Sequence, residues 1–228
     1  MTTWPIQVIR RTVEAFSDLG DPVRADGQAN YMKHVAPFLG IATPERRVAT
    51  KQAWRELPRP SSDELGKAAL QLFKKPEREF HYAACDLIQS YIAFADESFL
   101  ADYLEPLLTM KPWWDTVDGL VNVGVSPLCW RYDATEIIDQ WSESQNRWLI
   151  RAAIGHQRGW KTDTDVELIL HICDRHWEDP EFFIAKAIGW ALRDITKIDS
   201  QAVRRFLTAH PSRNSVAERE AIRGLQRT

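Results

Sequence analysis

Trp114 and Asp118, in the segment KPWWDTVD (111–118), are the residues of this chain best spaced for chemistry. A helix advances about 100° per residue, so the two lie about 40° apart on one side. On the same wheel Trp113, Val117, Leu120 and Val121 share an apolar face, with Trp114 and Asp118 at its border. A helix dipole explains an acid in the first turn, and Asp115 fits that role. Asp118 lies beyond its range. A carboxylate beside an indole face suits a cationic ligand, or positive charge developing in a reaction. An ion pair with an arginine of a neighbouring helix is the structural alternative.

Two further constellations are cationic. In residues 181–197 the core stripe is Ile184, Ile188, Ala191, Leu192 and Ile195, while Lys186, Trp190, Arg193 and Lys197 cluster opposite. Lysine and arginine stems can also cover a tryptophan for purely structural ends. In residues 146–158, Arg147, Arg151 and Arg158 form a row, which Lys161 extends. Guanidinium groups at helical spacing suit a phosphate backbone, which they bind through paired hydrogen bonds. The same row also fits a solvated, ion-paired face. Other chemistry is poorly represented. His171, Cys173 and His176 lack the closed spacing of a zinc site, so no metal or cofactor is expected. No nucleophile elbow, phosphate loop or dinucleotide fingerprint occurs.

The totals bound these readings. The chain has 228 residues, 44% hydrophobic and 27% charged, with ten tryptophans. That is enough for one well-buried domain or a short run of repeats. Net charge is −3, but residues 1–144 hold 15 Lys/Arg against 21 Asp/Glu, and residues 145–228 hold 14 against 11. A basic face is therefore available within an acidic total. Cys85, Cys129 and Cys173 are odd in number and far apart, which implies free thiols in a reducing compartment. The N-terminus lacks a signal-peptide core and no apolar run is long enough to span a bilayer, so the expected location is cytoplasmic, with no membrane partner.

These side chains must be positioned by helices, because apolar periodicity is helical throughout. Helix starts are marked at Thr43-Pro44-Glu45, at Ser61 or Ser62, at Lys111-Pro112 and at Asp179-Pro180-Glu181. Longer loops are predicted around Gly20–Ala29 and Pro127–Asp133. The segments 79–89, 146–157 and 181–192 superpose with Ala84, Ala153 and Ala187 in register, and a missing copy falls near Asp118. A period of about 34 residues with paired helices predicts an all-α, right-handed solenoid of HEAT-like repeats with a concave face.

Taken in order, YMKHVAPFLGIATPERR (31–47), PEREFHYAACDLI (76–88), KPWWDTVD (111–118), NRWLIRAA (146–153), EFFIAKAIGWALRD (181–194) and EREAIR (218–223) resemble the DNA alkylation repair family, the AlkD-like HEAT-repeat alkylpurine DNA glycosylases. The resemblance covers nearly the whole chain and implies a single repeat domain over 1–228. It implies a site of two tryptophans, an aspartate and an arginine on the concave face, carried here by Trp114, Asp118, Trp190 and Arg151, with Tyr31 near the DNA cleft. It also implies excision of N3- or N7-alkylated purines from double-stranded DNA without a cofactor; a monomer is the default expectation. Arg147, Arg158, Lys161, Lys186, Arg193 and Lys197 are the cations that would meet DNA. From the residues alone, a noncatalytic scaffold or a binder of DNA structure stays open.

Overall fold

The computed structural model describes residues 3–211 and 215–227, with the side chain of Ser215 left aside. All regular structure among them is helical, and none of these helices is long and apolar enough to cross a membrane. The chain divides into two compact units, Met1–Leu128 and Cys129–Thr228.

The first unit holds α1 (Trp4–Phe16), α2 (Pro22–Tyr31), α3 (Thr43–Trp54), α4 (Ser62–Lys74), α5 (Arg78–Tyr91), α6 (Glu105–Thr109) and α7 (Trp114–Leu120); α8 (Ser126–Arg131) crosses the boundary. The second holds α9 (Thr135–Ser142), α10 (Arg147–Gly155), α11 (Val166–Arg175), α12 (Phe182–Ile195), α13 (Ser200–Ala209) and α14 (Ser215–Leu225). Helices α5, α7, α10, α12 and α14 begin about 35 residues apart, so the expected repeat is present as successive helical hairpins. Ala84, Ala153 and Ala187 are all buried, as their shared register requires. Small residues at these centres let helix axes approach closely.

Helix starts follow capping chemistry, with shifts of a residue or two. Ser61 Oγ accepts from Glu64 N at 3.2 Å, and Glu64 Oε2 accepts from Ser61 N at 2.9 Å, a reciprocal box. Before α3 the cap position is Ala42 rather than Thr43, and Glu45 accepts from its backbone N–H. Before α12 the cap is Glu181, two residues beyond Asp179. At 111–118 the helix begins at Trp114, so Pro112 precedes it.

Both predicted long loops are helical instead. Asp21 Oδ1 accepts from Val23 N and Arg24 N, and Pro22 supplies the fixed φ of a first helical residue, which together start α2. Gly40 (φ 82°) packs against this start; a Cβ there would fall 2.0 Å from Asp21 O, so only glycine fits. At Pro127 the chain continues as helix through a widened π turn, Val121–Val125, in which Ser126 N donates to Val121 O. The same device precedes Pro106, where Glu105 N donates to Leu100 O. A proline inside a helix lacks its N–H and crowds the carbonyl four residues back. Widening the preceding turn relieves that conflict and keeps the helix going.

Polar groups buried between helices are closely matched. Arg78, the first residue of α5, is fully buried. Its Nε donates to Asp115 Oδ2 at 3.0 Å, Nη1 to Lys111 O at 2.9 Å and to His81 Nδ1 at 3.2 Å, and Nη2 to Asp115 Oδ1 and to Thr116 Oγ1 at 2.9 Å. These five bonds use every guanidinium N–H. Asp115 is therefore the counterion of Arg78 as well as a first-turn acid. Its neighbour Glu79 accepts from the backbone N–H groups of Leu39, Gly40 and Ile41 at 2.8–3.1 Å.

Two buried histidines are held neutral. His81 accepts from Arg78 through Nδ1 and donates through Nε2 to Lys75 O at 2.9 Å. His156 donates through Nδ1 to Ala153 O at 2.7 Å and accepts from Gln157 Nε2 at 3.1 Å. Burial is the main cause that pushes each pKa down to about 4.

Replacing Arg78 with alanine would strand Asp115 in the interior, and stability should fall by about 3–5 kcal/mol in urea titrations. Because both histidine pKa values are lower in the fold than in the unfolded chain, their contribution is complete above the ordinary value of 6.5. It is lost as pH falls from there toward about 4. Melting temperature should therefore decline across that window, and His156→Gln should flatten the decline.

Candidate active site

The candidate residues fall into two groups, one in each unit. In the first, α7 carries Trp114 at its first position and Asp118 one turn on, both half-buried, while Val117 and Leu120 of the same helix are sealed in the core. Trp113 is half-buried and sits just before the helix rather than within its apolar stripe. The start of α7 is fixed by Arg78, which holds Lys111 O, Asp115 and Thr116 on both sides of Trp114. The Tyr82 hydroxyl donates to Asp115 Oδ2, and the Arg46 guanidinium lies 5.0 Å over the Tyr82 ring. Burial of the phenol, and after it the negative charge of Asp115, raise the Tyr82 pKa, so Tyr82 serves as a fixed donor.

Tyr31 closes this group. It is the last residue of α2, 72% exposed, and its ring meets Trp114 edge to face at 6.4 Å and 80°. The next residue, Met32, is buried and anchors the helix end. Lys33 and His34 then take left-handed backbone conformations (φ 59° and 55°), which turn the chain away at once. His34 N donates to Ala29 O at 2.8 Å and Lys33 N to Asn30 O at 3.1 Å, as at a helix end. An exposed aromatic is thus held against a half-buried one by a tightly bonded turn.

In the second unit, Trp190 lies half-buried on α12 with three cations against its ring. Arg151 Cζ is 5.0 Å from the ring centroid, Arg158 Cζ 5.2 Å and Lys186 Nζ 5.9 Å, all within reach of a cation–π contact. Of the three neighbours expected from the helical wheel, Lys186 is there. Arg193 and Lys197 have other partners: Arg193 bonds Glu220, and Lys197 pairs with Asp194 at 2.9 Å. Arg151 and Arg158 take their place from α10 and the turn after it.

The row Arg147, Arg151, Arg158 is not a uniform solvated stripe. Arg147 is exposed, pairs with Glu181 at 2.8 Å and lies over the Trp148 ring. Arg151 is buried, and its Nη1 donates to Phe183 O at 2.6 Å. Arg158 lies beyond the end of α10 at Gly155, and Lys161 is exposed in the next turn. The periodicity of a helix could not foresee that the row bends inward at Arg151 to reach Trp190.

Glu220 on α14 is a site feature that the sequence reading missed. Its carboxylate is buried and accepts from Lys186 at 2.9 Å, Arg193 at 3.0 Å and Arg223 at 3.2 Å. The bond from Lys186 is the main cause that holds its pKa below the usual carboxylate range. Gly189, beside Trp190, lets α14 approach: a Cβ there would stand 2.8 Å from Glu220 Cβ. Only spatial proximity joins Glu220 to residues about 30 positions earlier, so local spacing carried no signal of it. Lys186 joins the two sets of contacts, lying over Trp190 with Arg151 and Arg158 and bonding Glu220 with Arg193 and Arg223.

The cysteines are buried and free. His176 bonds Ser142 O through Nε2 at 2.7 Å, which accounts for one member of the weak metal-like trio.

The family model described as DNA alkylation repair enzyme matches residues 12–225. Among solved structures, a predicted DNA alkylation repair enzyme from Enterococcus faecalis is similar with a TM-score of 0.84 and 28% identity, covering 92% of this chain and 98% of that one. No curated protein matches the sequence. With the family model spanning nearly all of its helices, the chain belongs to the DNA alkylation repair enzyme family.

Proposed function

We propose that this protein is a DNA glycosylase that releases positively charged N3- or N7-alkylated purines from duplex DNA, the opening step of base excision repair. The observation that carries the reading is the Trp114–Asp118 pair: an indole and a carboxylate, one turn apart and half-buried, on a helix whose start is locked by Arg78. A site meant only to hold a polyanion gains nothing from a carboxylate.

Alkylation at N3 or N7 gives the purine a formal positive charge, so the base leaves without being protonated. Breaking the N-glycosidic bond passes through an oxocarbenium-like sugar. Asp118 is the group to stabilise that charge and to orient the attacking water. The π face of Trp114 would favour the same developing cation. Tyr31, exposed against Trp114, would border the DNA.

Trp190 has a different electrostatic setting. Its ring is already engaged by Arg151, Arg158 and Lys186, so its quadrupole is largely spent on resident cations. In this reading Trp190 also contacts the deoxyribose, and it keeps those cations in place for phosphate contacts that register the strand. Arg147, Lys161, Arg193 and Lys197 extend the cationic surface, Arg193 because its carboxylate partner is shared with two other cations and Lys197 from an exposed pair that a phosphate would compete for. The enzyme would act as a cytoplasmic monomer without a metal or cofactor, and its buried free thiols suit a reducing compartment.

The test is release of 7-methylguanine or 3-methyladenine from methylated duplex DNA under single-turnover conditions. Asp118→Asn should slow excision by about 30- to 1000-fold, the equivalent of about 2–4 kcal/mol of transition-state stabilisation. Duplex affinity should stay within about threefold. Excision at the native rate by this variant would remove Asp118 from the chemistry; binding without any base release by the native protein would leave a binder of DNA structure.

A further inference from the structure

We propose that Trp130 and Trp160 form a stacking site for one unpaired nucleobase, contiguous with the Trp190 cluster; the proposal rests on the reading of this protein as acting on DNA. Both residues belong to the second unit. Trp130, near the end of α8, is 56% exposed, the most exposed tryptophan among the large apolar residues at the surface. Its ring meets Trp160 edge to face at 5.1 Å and 84°. Trp160 is also met by the ring of His156 at 6.2 Å, itself held neutral by burial and fixed by two hydrogen bonds. Trp160 is thus held in place, while much of Trp130 is left to solvent. Burying such a surface on a planar partner is favourable, and every nucleobase offers a π face.

The backbone presents this pair deliberately. Residues 155–163 run through successive tight turns, with Arg158 N donating to Gly155 O at 3.0 Å, Trp160 N to Gln157 O at 3.2 Å and Asp163 N to Trp160 O at 3.2 Å. Gly159 (φ 93°) and Lys161 (φ 56°) are left-handed on either side of Trp160. A lysine in that conformation costs on the order of 1 kcal/mol, a strain that recurs where a side chain must be displayed. Arg158 lies two residues before Trp160 and covers Trp190 at 5.2 Å, so the aromatic pair continues the cationic cluster.

The flanking charges fit a strand of nucleic acid. Arg131 follows Trp130 and lies over the Tyr132 ring, and Lys161 follows Trp160; both are exposed, and cations beside an aromatic pair suit the phosphates that flank a stacked base. Of the nearby carboxylates, Asp133 is bonded to Thr135 and Asp165 caps α11 at Leu168 N, so both are engaged with their own helices. Asp163 is exposed at the close of the turn. A base left without its partner across from a missing purine is a planar group that such a duplex offers outside its stack.

The test measures dissociation constants by fluorescence anisotropy at fixed salt on two duplexes. They differ at one position: one is fully paired, the other carries an abasic site opposite a normal base. Trp130→Ala should weaken binding of the abasic duplex by about tenfold and of the paired duplex by less than about twofold. Trp130→Phe, which keeps a π face, should retain most of the affinity. Equal losses on both duplexes, or no loss on the abasic one, would overturn the stacking site. If the native protein binds neither duplex, the DNA-acting reading itself fails, a result separate from native binding that is indifferent to Trp130.

Discussion

A guanidinium without contact to water must find a partner for every N–H it carries, because an unpaired buried charge costs several kcal/mol. Arg78 meets that condition with five bonds, two to the carboxylate of Asp115 and one each to Lys111 O, Thr116 Oγ1 and His81 Nδ1. Three of those four partners lie within residues 111–116, so satisfying the charge also fixes where α7 begins. Glu79 applies the same logic to the chain before α3, where it collects three successive backbone N–H groups. Arg78 N adds a bond to Pro37 O at 2.9 Å. The first turn of α5 therefore sets both the loop that follows Tyr31 and the helix that presents Trp114. The edge-to-face contact between those rings results from two ionic demands met by adjacent residues.

The second unit handles charge in the opposite way. Around Arg78 and Asp115 the ions are balanced and sealed. At Glu220 the pairing is shared and partly exposed, with three cations, Lys186, Arg193 and Arg223, on one carboxylate. Local excess of this kind attracts a polyanion even when the whole chain is acidic, since a surface field depends on nearby charges more than on the total. The split visible in the sequence, acidic to residue 144 and basic after it, has its structural counterpart here.

Much of this was legible from periodicity. The core stripe of α12 apart from Ala191, which is only half-buried, the sealed Val117 and Leu120 of α7, and the register of Ala84, Ala153 and Ala187 all follow from 3.6-residue spacing. The misses have particular causes. Pro127 reads as a breaker because a proline normally cannot sit inside a helix, yet a π turn just before it removes the conflict, as it does at Pro106. Helix α2 buries no residue, so it has no apolar stripe to detect, and only Asp21-Pro22 announces it. Asp115 satisfied a dipole argument and so concealed its larger role. Glu220, Arg158 over Trp190, and the Trp130–Trp160 pair depend on residues about 30 positions apart, which no local pattern joins.

The two tryptophans drawn from the sequence as equivalent are therefore not equivalent. Among the contacts of Trp114 is the edge of a phenol, and a carboxylate stands one turn away. Among those of Trp190 are three cations within 6 Å. An indole face attracts positive charge in proportion to what has not already been placed on it. In the proposed reaction, the charge of a sugar that becomes cationic as its base departs would be met by Asp118 and the face of Trp114, while Trp190 would add contact to the deoxyribose rather than charge stabilisation. The cluster around Trp190 would attract the phosphates that the carboxylate repels. On the proposed function, dividing these roles between two differently charged surroundings would let one protein bind a polyanion and stabilise a cation without either requirement undoing the other.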